Sequence, residues 1–170
     1  MRALLVIDVL RDFIYEDGAL PVEGAAKLIP RINEEIKKFR CRGEPVIFIA
    51  DSHAEDDKEF EIWPKHCVKG SEGGEVVEEL DKDNRDEIVE KTTYSAFYNT
   101  RLEEVLKEKG ITEVVLTGVL TDICVMHTAA DAAMHGYNVR VLKDCVASSS
   151  REPHEWALKH MKSILNASIE

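Results

Sequence analysis

The run Ala3-Leu4-Leu5-Val6-Ile7 is broken by no polar residue and stops at Asp8. A strand with one wet face alternates apolar and polar residues. A strand without alternation is buried on both faces, as in a parallel sheet covered by helices. Pro45–Ala50 repeats this character, and Glu113–Val119 holds the apolar core Val114-Val115-Leu116. Residues 86–91 and 138–146 read as further strands, and 166–169 as a short edge strand. Helical patterns separate them. Ala26, Leu28, Ile29, Ile32, Ile36 and Phe39 recur at spacings of three and four across 23–39, with Pro30 marking a kink or a first turn. Thr100–Lys109 is amphipathic and ends at Gly110. A helix follows Cys124 up to Gly136, and another spans Ser148–Ile164 with Ser150 as its cap. Val76–Leu80 reads as a turn of helix or a short strand. Such repeated β–α alternation predicts a three-layer α/β/α, Rossmann-like fold with a mostly parallel central sheet of about six strands. At this length, one domain over residues 1–170 is expected.

In an open α/β sheet, ligands bind at the carboxyl ends of the strands. Asp8 ends the first strand, Asp51-Ser52-His53 the second and Lys91 the third, while Cys124 follows the central strand at a strand-to-helix junction. The free N–H groups and dipole of a helix start favour an anion, so Cys124 is expected to be a thiolate that alkylates well below pH 8. Thr121 and Asp122 offer capping chemistry there. Inert packing is the usual fate of a lone free cysteine. One shared site nonetheless accounts for Asp8, Asp51, His53, Lys91 and Cys124 more economically than separate accidents. The aperiodic stretch 53–74 holds an acidic run at 55–59 and Trp63-Pro64-Lys65-His66-Cys67. A loop of that length in a compact domain signals function. Cys41, Cys67 and Cys145 are read as packing, Met126, Met134 and Met161 as core, and His127, His135, His154 and His160 as surface or interface residues.

Charge narrows the partners. A formal net charge of −11 argues against nucleic acid and anionic membranes. No apolar run approaches the roughly 20 residues of a membrane span, and the start of the chain does not read as a secretory signal. Four dispersed cysteines without a C-x-x-C pattern suit reduced thiols, and a cytoplasmic location is expected. The absence of glutamine beside abundant Glu and Lys leans towards a thermophile.

Taken in order, Leu5-Val6-Ile7-Asp8 with Asp12-Phe13, Asp51-x-His53, Trp63-Pro64-x-His66-Cys67, Lys91 with Ser95-Ala96-Phe97, and Gly118-Val119-x-Thr121-Asp122-x-Cys124-Val125 resemble the isochorismatase-like cysteine hydrolases. Within them the chain looks most like nicotinamidase/pyrazinamidase. The resemblance runs nearly end to end. It implies a triad in which Asp8 takes the thiol proton and returns it to the departing amine, Lys91 holds Asp8 and steadies the thiolate, and Cys124 attacks an amide carbonyl. It implies a cis peptide before Leu120 and an oxyanion hole from the N–H groups of Leu120 and Cys124. It also implies a metal site at Asp51, His53 and His66. Two imidazoles and a carboxylate suit zinc, or iron or manganese, with water completing the shell. In nicotinamidase-like enzymes this metal binds the pyridine nitrogen and orients the substrate. Phe13 and Trp63 are candidates to sandwich a planar ring, with core packing as the alternative.

Three readings follow. The first is a cysteine amidohydrolase converting nicotinamide to nicotinate and ammonia through a thioester. The second is a related hydrolase of an N-carbamoyl or ureido C–N bond, favoured if a cation such as Arg11 or Arg151 lies in the pocket. The third is a non-catalytic binding protein of the same fold, whose mark would be loss of a triad member. The triplet holds Ser52 where nicotinamidases commonly carry tryptophan, the interval from His53 to His66 is short, and Leu120 is bulky. These departures bear on the substrate. The family implies a homo-oligomer, a dimer or tetramer, acting on a small-molecule amide.

Overall fold

A computed structural model describes all 170 residues. The strands are β1 (Arg2–Ile7), β2 (Val46–Asp51), β3 (Glu87–Lys91), β4 (Glu113–Val119), β5 (Asn138–Ala147) and β6 (Ser168–Ile169). The helices are α1 (Arg11–Ile14), α2 (Ile29–Cys41), α3 (Leu102–Glu108), α4 (Met126–Met134) and α5 (Arg151–Ile164). One six-stranded sheet runs β3-β2-β1-β4-β5-β6, and every pairing is parallel.

The unbroken apolar runs are buried on both faces as their composition requires. Ala3, Leu5 and Ile7 of β1 join Ile47, Ile49, Val114 and Leu116 in a layer closed by α3, α4 and α5. Leu4 and Val6 point the other way, with Phe48 and Val115, onto α2 through Ile29, Ile32, Ile36 and Phe39. Each such fully buried aliphatic side chain contributes about 1.5–3 kcal/mol.

The chain leaves β1 towards β2 on one side and enters β4 on the other, so the order reverses between these neighbours and opens a crevice at their carboxyl ends. Gly118 permits their close approach. It has φ 108, and a Cβ there would stand 1.9 Å from the Ile7 carbonyl oxygen. The Val119–Leu120 peptide that follows is cis. A register shift lets β5 bulge between Val141 and Val146, which sets Ala147 beside Val119.

Several local expectations need correction. Val76–Leu80 forms neither helix nor strand, beyond an isolated bridge from Val76 to Leu10. Ser150 occupies the cap position of α5, but its hydroxyl makes no capping bond. Leu120, an apolar residue, stands at the cap position before Cys124, and the turn Thr121–Val125 is π-helical. Tertiary partners recruit the two side chains expected to cap it: Thr121 Oγ1 lies 2.9 Å from His154 Nδ1, and Asp122 accepts from the Ser148 hydroxyl. Cys41 is exposed, at the carboxyl end of α2, and Met134 is 74% exposed on α4; neither packs in the core. No helix is long and apolar enough to cross a membrane.

Candidate active site

The crevice gathers Asp8, Asp51, His53, His66, Lys91 and Cys124, all buried. Asp8 follows β1 in the left-handed region at φ 52, which aspartate tolerates better than most residues. Its Oδ1 accepts the Asp51 N–H at 3.1 Å. Lys91, the last residue of β3, stands 2.8 Å from Asp8 Oδ2, donates to Asp51 Oδ1, and lies 3.5 Å from Cys124 Sγ. Oδ2 accepts no further hydrogen bond beyond this ion pair.

Burial sets the protonation states. It pushes Asp8 up to about 7, the Asp51 charge adds to this, and Lys91 opposes it. Burial would lower Lys91, but Asp51 and Asp8 outweigh it and hold the ammonium well above the usual lysine range. Burial pushes Cys124 well above the usual thiol range; Lys91 pulls down, Asp8 and Asp51 push up. The balance of these influences favours the thiol form of Cys124. Burial and the two carboxylates thus work against the thiolate that a helix start would favour.

A second cluster adjoins the first. Asp51, His53 and His66 place one ligand atom each within 4.8 Å of the others. Both imidazoles are fixed from behind, His53 Nδ1 by Asp57 at 3.1 Å and His66 Nδ1 by the Pro64 carbonyl at 2.6 Å. That leaves each Nε2 facing Asp51 Oδ2, at 3.6 and 3.9 Å. His53 Nε2 is buried with no hydrogen-bond partner. An orphaned imidazole nitrogen facing a carboxylate and a second imidazole fits a divalent metal, with backing acceptors that orient the ligands. Glu59 lies close by, its Oε1 4.0 Å from His66 Nε2, but is not one of the three converging ligands. Sequence reasoning did not single out Glu59 from the other acidic residues of the run at 55–59.

Beside both clusters lies a cavity of about 170 Å³, walled by Phe13, Leu20, Trp63, Tyr94, Leu120 and Ile123 and floored by Cys124, Asp51, Glu59 and His66. It is smaller than the roughly 300–1,000 Å³ typical of drug-sized ligands, and suits a single small ring. Phe13 also packs its ring 5.4 Å from His66. Trp63 Nε1 donates to the Tyr94 hydroxyl at 3.1 Å and ties two walls together. Tyr94 was not anticipated; only its place between Lys91 and Ser95-Ala96-Phe97 could have drawn notice. Neither arginine lines this cavity. Arg11 lies over the Tyr15 ring near Glu72 and Glu78. Arg151 pairs with Glu155 in a wider neighbouring groove that also holds His154.

Residues 2–169 match the Isochorismatase domain family. The chain belongs to that family. It is 32% identical to the nicotinamidase/pyrazinamidase of Mycobacterium tuberculosis, over all of this chain and 97% of that protein. Among solved structures it is similar to the pyrazinamidase of Pyrococcus horikoshii in complex with zinc (37% identity, TM-score 0.94, 99% of this chain and 98% of that one). It is also similar to the N-carbamoylsarcosine amidase of Thermoplasma acidophilum (37% identity, TM-score 0.91, 99% and 95% covered). Within its family the chain is an amidohydrolase acting on C–N bonds.

Proposed function

We propose that this enzyme hydrolyses a small, neutral, planar amide, nicotinamide to nicotinate and ammonia, with Asp8, Lys91 and Cys124 as its triad. The observation that carries the reading is the cavity wall: aromatic and aliphatic faces, with Asp51, Glu59 and Asp122 as its carboxylates. No guanidinium or ammonium lines it to pair with a substrate carboxylate. That weighs against a carboxylate-bearing carbamoyl or ureido substrate and for an uncharged ring.

Asp8 Oδ2 takes the Cys124 proton as Sγ attacks the amide carbonyl. Lys91, 3.5 Å away, steadies the developing thiolate. The N–H groups of Leu120 and Cys124 receive the oxyanion, each worth roughly 3 kcal/mol of barrier. Asp8 returns its proton to the amine, ammonia leaves, and a thioester remains on Cys124. Asp8 then deprotonates a water, which attacks the thioester, and the thiol is restored as the acid departs. Asp51, His53 and His66 would hold a divalent metal, zinc by donor set, with Glu59 or water completing the shell. When bound, that ion supplies a Lewis-acid anchor for a ring nitrogen. Phe13 and Trp63 close on the faces of the ring. The test is ammonia release from nicotinamide by zinc-loaded protein, with Cys124→Ala as control. Release that survives the control sinks the nucleophile assignment. No release from wild type sinks the substrate, and carbamoyl compounds are then tried.

A further inference from the structure

Asp12 sits in α1, and its carboxylate has no part in the reaction above. Its two oxygens serve two different loops. Oδ1 accepts the Ala19 N–H at 3.0 Å, in the loop that carries cavity residue Leu20. Oδ2 accepts the Cys67 N–H at 2.7 Å, directly after His66. Cys67 has φ 43, a left-handed conformation that residues with a side chain rarely adopt. Its carbonyl accepts the His53 N–H at 3.0 Å. The backbone of Cys67 is therefore pinned on one side by Asp12 and on the other by His53. Gly73 lies against the same carboxylate: a Cβ there would stand 2.1 Å from Asp12 Oδ2.

We propose that Asp12 is a positioning residue for the metal centre, holding the left-handed turn at Cys67 so that His66 Nε2 faces Asp51 and His53. This rests on the reading of Asp51, His53 and His66 as metal ligands. The reasoning is mechanical. Cys67 is fully buried, so its N–H has no water to replace Asp12. Without that acceptor the turn relaxes towards ordinary backbone angles, and the imidazole one residue earlier swings with it. Asp12 works through the backbone alone and touches neither Nε2 nor the reacting sulfur.

The experiment is Co(II) binding to metal-stripped wild type, Asp12→Ala, Asp12→Asn and Gly73→Ala, read by visible absorption and by chelator competition. Thermal unfolding of the metal-free proteins checks that each is folded. Asp12→Ala and Gly73→Ala are expected to bind Co(II) roughly 10–100-fold more weakly, with an altered absorption band. Asp12→Asn, which keeps one acceptor oxygen, falls between them and wild type. Gly73→Ala keeps the carboxylate and only displaces it, so it decides the matter if Asp12→Ala does not fold. Wild-type affinity and spectrum in a folded Asp12→Ala, or in Gly73→Ala, overturn the proposal. Failure of wild type itself to bind Co(II) overturns the metal-centre reading on which it stands.

Discussion

Lys91 reaches from the end of β3 to within 3.5 Å of the Cys124 sulfur, although 33 residues separate them in the chain. The same ammonium is shared by Asp8 and Asp51, so it neutralises the site as well as facing the Cys124 sulfur. Lys91→Met should therefore damage stability and activity together. Removing one partner from a buried ion cluster costs about 3–5 kcal/mol. Urea unfolding of the variant measures it; a loss under about 1 kcal/mol would show that the carboxylates simply protonate at little cost.

Cys124→Ala should separate the two effects. It removes a sulfur from a cavity wall and leaves the ion cluster intact, so stability should change by about 1 kcal/mol. Turnover should fall by as much as a million-fold, the scale seen on removing a nucleophile from another covalent hydrolase. Burst kinetics and a denaturation curve on the same sample check both halves.

Trp63→Phe should raise KM more than it lowers kcat. The ring face remains, but the indole N–H bond to Tyr94 is lost, at a cost of about 1 kcal/mol, or some fivefold. Tyr94→Phe should have a similar effect, and the double variant should be no worse than either alone. Additive losses would show that the two residues contact the substrate independently.

The Arg2–Glu44 pair makes the stability depend on pH. Arg2 makes a two-pronged bond to Glu44, at 2.9 and 2.7 Å. The hydrogen bond from Arg2 holds Glu44 below the ordinary glutamate value of 4.5. A depressed carboxylate stabilises the fold above its unfolded pKa, and the contribution disappears as pH falls through the folded one. Glu44→Gln should thus cost about 0.5–1 kcal/mol at pH 7, with the gap to wild type closing below pH 4.5. Parallel melting series at several pH values test it, and a gap unchanged at low pH would refute it.

Gly118→Ala tests the crevice itself. The added methyl would meet the Ile7 carbonyl, and the backbone at φ 108 resists any side chain. A loss of more than about 3 kcal/mol is expected, read as insoluble expression or a large drop in melting temperature. A soluble, active variant would mean that β1 and β4 can separate without cost.

The parallel sheet was legible because a short apolar run with no polar break suits a strand covered on both faces and little else. The convergence of Asp8, Asp51, His53, Lys91 and Cys124 was legible because strands in such a sheet share one carboxyl edge. Pairings made across loops left no trace in periodicity. Glu59 near His66, Trp63 on Tyr94, and His154 on Thr121 each depend on how the segments carrying them fold back and come to rest. The expected cap from Thr121 and Asp122 failed for the same reason: local chemistry was available, but more distant partners claimed both side chains. Met134 followed the helical period of α4 yet faces outward, since periodicity marks a stripe without saying what covers it.

The placement of Lys91 carries a consequence of its own. It lies on β3, a margin strand bonded to β2 alone, where only Val89 and Lys91 are buried. Margin strands exchange their amide hydrogens earlier than interior ones because they open by local fraying. One of the most deeply buried charges in the molecule thus sits on a margin strand of its sheet. Competence for turnover should track the fraying of this border, and warming should silence the enzyme before its interior gives way.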